Sequence, residues 1–116
     1  MAMVELLRNE HDLIVAAEGN NLPSVEKALA AGAKVNHQTA SEKMTALHMA
    51  AGNGNARMVD CLIGHGADVR ILDSKGRTPA VVAIEFGFYE LADRLTDLEC
   101  QQIQKEQQAA PGKSRR

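Results

Sequence analysis

Apolar residues recur along this chain in short stripes with helical spacing. Met58, Val59, Leu62 and Ile63 fall at i, i+1, i+4 and i+5, which puts them on one side of a helix. Leu91, Leu95 and Leu98 keep a helical spacing further on, and Gln101–Gln108 contains no breaker, so the last helix is expected to run past its stripe. Thr45 and Thr78 each stand before a run of small and apolar residues and predict helix N-caps; Pro79 suits the first turn that follows. Gly32 and Gly66 sit where the stripes end, at the left-handed stop that glycine adopts cheaply. Val35 and Val69 then open extended segments.

The pattern repeats. Thr45-Ala-Leu-His-Met-Ala-Ala51 set over Thr78-Pro-Ala-Val-Val-Ala-Ile84 gives an offset of 33, which brings Gly54 onto Gly87, Val59 onto Ala92 and Leu62 onto Leu95. Leu13-Ile-Val-Ala-Ala17 over Leu47-His-Met-Ala-Ala51 gives 34, with Val25 on Val59 and Gly32-Ala-Lys-Val35 on Gly66-Ala-Asp-Val69. One extra residue therefore sits in the connection near His37–Lys43. A period of this length marks supersecondary units that bury their apolar faces on one another.

Gly66-Ala-Asp-Val followed by Asp73-Ser-Lys-Gly-Arg-Thr-Pro-Ala, with Thr-Ala-Leu-His-Met-Ala-Ala-Gly-Asn-Gly one unit earlier, resembles the ankyrin repeat. The resemblance covers residues 11–98 in phase. It implies an all-α repeat solenoid of helix-turn-helix units joined by β-hairpin loops. The division it gives is an N-terminal cap segment (1–10), repeats 11–36, 37–70 and 71–98, a helix extension (99–108) and a disordered basic tail (109–116). Val4, Leu6 and Leu7 suggest a short turn or helix ahead of the first repeat. The third repeat is read as a C-terminal cap, because Thr96 replaces Ile63 among Asp93, Arg94, Asp97 and Glu99 and gives a polar outer face. In the middle connection, Ala40, Lys43 and Ala46 stand for the family's Asp, Gly and Pro, which predicts a different turn there. Asn20 replaces the turn glycine of the first repeat and tolerates a left-handed backbone.

Composition narrows the function. Hydrophobic residues make up 45% of the 116-residue chain, yet it holds no Trp, two Phe and one Tyr, too few aromatics for a sandwich or an aromatic-lined substrate cavity. Residues 1–100 carry nine Lys/Arg against fourteen Asp/Glu, and 101–116 four against one. With a net charge of −2, nucleic-acid binding is not expected, and no stretch is long and apolar enough for a membrane span. Two cysteines without a C-x-x-C pair fit a reducing cytoplasm, or the nucleus of a eukaryote.

The side chains offer no catalytic set. His48 matches the His of the family's Thr-Pro-Leu-His and is expected to bond Thr45 and adjoining backbone. His11 and His37 are read as exposed, and Cys61 as a plain thiol with no His partner. With no ligand spacing among the histidines, no metal or other cofactor is expected, and no carboxylate has the apolar pocket that acid–base work needs. The chain is therefore read as a non-enzymatic protein–protein interaction module, a monomer when free. The family's contact positions fall on Glu18 and Gly19, then Ser41, Glu42, Met44, Gly52 and Asn53, then Ser74, Lys75, Arg77, Glu85 and Phe86. Arg77 and Phe86 are read as anchors for a partner with an acidic segment. Two alternatives stand beside this one: a dedicated inhibitor or stabilising subunit of one cytosolic enzyme, and a self-assembling protein joined through imperfectly capped repeat ends.

Overall fold

The computed structural model describes the backbone of residues 2–109 and the side chains of residues 10–104; the tail expected at 109–116 lies outside these but for Ala109. Six helices follow in order: α1 (Ala2–Glu18), α2 (Leu22–Ala30), α3 (Ala46–Asn53), α4 (Ala56–Gly64), α5 (Pro79–Glu85) and α6 (Tyr89–Ala109). They pair into three layers, α1 on α2, α3 on α4 and α5 on α6, and the first helices form an inner row with α3 between α1 and α5. No strand occurs among the described residues. The connections before α3 and α5 fold back through hairpin-type bonds alone.

The four helices α2 to α5 each start where a short polar side chain can take the place of a missing carbonyl. Thr45 Oγ1 accepts from His48 N at 3.3 Å, Thr78 Oγ1 from Val81 N at 3.3 Å, and Asn55 Oδ1 from Met58 N at 3.1 Å. Asn21 does the same for Ser24 N at 3.3 Å. α2 and α4 stop at Gly32 and Gly66, whose φ values of 102° and 93° belong to glycine.

Leucines and alanines fill the core. Leu13, Leu47, Leu62 and Leu95 are fully buried, as are Ala17, Ala50, Ala51 and Ala83. The small residues let neighbouring inner helices approach; the leucines and Val59 fill the space between inner and outer rows. Polar side chains then tie the layers together. Asn53 Nδ2 donates to Ala17 O at 3.2 Å and Glu18 O at 3.0 Å, and Asn55 Nδ2 to Asn20 Oδ1 at 3.2 Å. Between the second and third layers, Arg94 pairs with Asp60 on the outer side.

The N-terminal end departs from the expected outline, whereas the last helix runs on as its sequence predicts. α1 is one continuous helix, so the segment read as a separate cap merges with the first repeat. Its Glu10 is buried, and the Oε1 atom lies 3.2 Å from His37 Nδ1, which makes His37 half-buried rather than exposed. α6 does not stop where α4 does. It continues until Gln102 reaches back one layer, its Oε1 accepting from Val69 N and its Nε2 donating to Ala67 O, both at 3.1 Å.

Candidate partner-binding surface

The loop tips before α3 and α5 and the exposed edges of those helices form one face. The last tip is organised by Asp73, whose side chain is 1% exposed. Its Oδ1 accepts from Lys75 N and Arg77 N, each at 2.9 Å, and its Oδ2 from Arg77 Nε at 2.9 Å. Burial alone would raise the carboxyl pKa; the Arg77 and Lys75 bonds outweigh it and hold the group below the usual carboxylate range. Arg77 reaches onward to Glu85 Oε1 at 2.6 Å, and the two carboxylates, Glu85 first, strengthen its charged form. Arg77 is thus neutralised on both sides. A partner's acidic segment would meet it as a guanidinium already paired with Asp73 and Glu85.

The middle tip uses other chemistry. Thr39 N donates to Met44 O at 2.9 Å, as Asp73 N does to Arg77 O at 3.0 Å, and Met44 N donates to Thr39 Oγ1 at 3.1 Å. Thr39, not Ala40, is therefore the counterpart of Asp73, and the extra residue lies after it. Lys43 takes φ 59° where Gly76 takes 76°, so the left-handed position survives without its glycine inside a loop one residue longer. Gln38 fastens the tips together by donating from Nε2 to Lys43 O and Leu72 O, both at 2.9 Å. Ser74 N adds a bond to Glu42 O at 2.9 Å.

His48 lies beneath this face and is fully buried. Its Nε2 bonds Arg77 O at 2.9 Å, while Nδ1 faces Thr45 N at 3.1 Å and Thr45 Oγ1 at 2.8 Å. Nε2 therefore carries the proton and donates to the carbonyl. Burial pushes the imidazole pKa down, and the Arg77 carbonyl bond only partly opposes it. His48 holds the last tip on α3 in its neutral form.

The residues predicted for contact differ in exposure and in how they are bonded. Ser41, Glu42, Ser74, Lys75 and Phe86 are exposed. Phe86 is 61% exposed; its ring lies against Gly52, where an added Cβ would come within 3.1–3.2 Å of two ring carbons. Met44 is half-buried. Asn53 spends its amide on the α1 carbonyls, and Glu85 spends its carboxylate on Arg77. Both residues are exposed, and these bonds fix how their side chains lie on the face. Asp73, Gln38 and Thr39 were not singled out, although the Asp73-Ser-Lys-Gly-Arg motif contained the signal for the first.

Away from this face, Cys61 does have a histidine one helical turn on: His65 Nδ1 is 4.0 Å from its sulfur and 2.9 Å from its carbonyl oxygen. Burial and nearby Glu26 raise the thiol pKa and favour its protonated form. Cys61 and Cys100 are both free. Among the described residues no group of His, Cys, Asp and Glu could hold a metal ion, and no helix is long and apolar enough to cross a membrane.

Three stacked helix pairs, the first two followed by a tip that returns to the next inner helix, describe a repeat solenoid. The chain belongs to the ankyrin-repeat family, whose model of three repeats matches residues 13–107. It is 36% identical over 93 residues to the ARF GTPase-activating protein Git of Drosophila melanogaster, covering 80% of this chain and 12% of that one. It is 38% identical over 81 residues to human ARF GTPase-activating protein GIT1, covering 70% and 10%. A protein of Oryza sativa subsp. japonica named "Probable E3 ubiquitin-protein ligase XBOS31" is 35% identical over 88 residues, covering 75% and 20%. The match thus spans a fifth or less of each relative. Ankyrin repeats are general, non-catalytic protein-interaction modules.

Proposed function

We propose that the chain binds one protein partner on the face formed by its loop tips and inner helices, the concave face of an ankyrin stack, with Phe86 as the apolar anchor and Lys75, which has no ion-pair partner among the described residues, as a flanking cation. Phe86 carries this reading. A large aromatic that lies against Gly52 of the neighbouring layer and is still 61% exposed is pre-organised to lose more water on binding than any other side chain of the face. The tips frame it, fixed by Asp73, Arg77 and Glu85. Three layers about 9–10 Å apart offer on the order of 600 Å², less than the roughly 800 Å² per partner of a standard stable interface, so this contact alone gives modest affinity. The two unpaired cysteines fit a reducing cytoplasm.

The test is retention of a partner from native lysate by the immobilised full chain, compared with Phe86→Ala and, on the outer side, Asp97→Lys. Binding measured by calorimetry should weaken at least tenfold with Phe86→Ala and stay unchanged with Asp97→Lys, while both variants melt with the parent. Loss of binding with Asp97→Lys and none with Phe86→Ala overturns the assignment.

A further inference from the structure

The layers repeat by a near-translation, so a side chain on one layer faces a fixed column on the next. Counterparts are 34 residues apart between the first two layers and 33 between the last two. Ile14, His48 and Val81 form one column; Ala17, Ala51 and Ile84 form another. In the first and second layers all four members are buried, but in the third Val81 is 38% and Ile84 48% exposed. The column of Val15, Met49 and Val82 runs the other way, with Val15 51% exposed and Val82 covered to 1%. α5 therefore presents an exposed apolar ridge, whereas α6 carries the polar outer face expected of a cap. At the opposite end, Val15, Ala16, Ser24, Lys27 and Ala28 line an open groove of about 540 Å³ between α1 and α2.

Charge follows the same register. An acidic column of Glu26, Asp60 and Asp93 faces, one layer on, the column of Lys27, Cys61 and Arg94. Within the molecule this meeting occurs twice: Asp60 pairs with Arg94, and Glu26 acts on the Cys61 thiol. Asp93 and Lys27 stand at the two ends of the series, both exposed and without an ion-pair partner among the described residues. They are the acid and base that a continued stack would bring together.

We propose that a second copy of this chain docks head to tail, its α1–α2 groove receiving the Val81–Ile84 ridge and its Lys27 meeting Asp93. The contact is heterologous and does not close, so association continues beyond the dimer as concentration rises. This departs from the monomer expected above, and it does not depend on what the concave face binds.

Sedimentation velocity of the full chain under reducing conditions, from about 10 μM to about 1 mM, tests it. The weight-average mass should climb through and past that of a dimer. Ile84→Asp, Asp93→Lys and Lys27→Asp should each weaken association at least tenfold, and all three positions are exposed, so the melting midpoint should hold. Because the swapped charges complement one another, an equimolar mixture of Asp93→Lys and Lys27→Asp should associate again. A monomeric mass throughout, association indifferent to Ile84→Asp, or a mixture that fails to recover while the parent associates would each overturn the proposal.

Discussion

The two loop tips close with the same kind of backbone bond and one residue at positive φ, but from different chemistry. In the last tip a buried carboxylate gathers two backbone N–H groups and a guanidinium, and through Arg77 it continues to Glu85 on α5. In the middle tip a threonine hydroxyl accepts a single N–H, and a lysine holds the left-handed position. The first arrangement couples the tip to the helix behind it; the second is held mainly by its own backbone and by Gln38 from below. What the repeat requires is a closed turn and one residue at positive φ. How strongly the turn is tied to the stack is left to the individual layer.

The largest test of this contrast removes the organiser of each tip. Asp73→Ala leaves two N–H groups and the Arg77 guanidinium without their acceptor and should lower stability by about 2–3 kcal/mol. Thr39→Ala loses one neutral bond and should lower it by about 1 kcal/mol. Denaturant titration reads both, and equal losses would dissolve the distinction.

Acid titration sharpens it. The Asp73 pKa is held below the ordinary value of 3.8, so its contribution is complete above that pH and is lost as pH falls toward the folded-state pKa. His48 is also depressed, below 6.5; the unfolded chain takes up a proton first, and stability declines as pH drops from about 6.5. Melting midpoints across this range should show both declines in the parent. Asp73→Asn should lack the lower one and His48→Gln the upper one, whereas Thr39→Ala should keep both.

The smallest effect goes in the opposite direction. Lys43→Gly relieves a non-glycine residue at φ 59° and should raise stability by about 0.5–1 kcal/mol, net of the freedom glycine adds to the unfolded chain. Gly76→Lys, placed in the last tip, should lower it; a gain there would show that the tips do not share their backbone requirement.

The period carried most of the fold. Thr45, Thr78, Gly32 and Gly66 each announce a cap or a stop through local chemistry, and His48 stands one helical turn from its threonine. The condition of the candidate surface was harder to read. Arg77 looks like a free cation in sequence because Asp73 and Glu85 lie on different elements and converge only when the tip folds onto α5. The single insertion after Thr39 left two ways to align the middle tip, and only the Thr39–Met44 bonds choose between them. Glu10 and His37 meet across a whole helix pair, a contact that no local pattern reports. The apolar end of α5 was hidden for a similar reason: Val81 and Ile84 match buried positions in the earlier repeats, and their exposure shows only in the folded stack.

Gln102 sits on the third layer but holds the backbone of the second, at Ala67 and Val69. A pull on the end of α6 would therefore load these two bonds before it reached the leucines beneath Leu95. They act as a latch, and its release peels the helix extension while leaving the three layers closed.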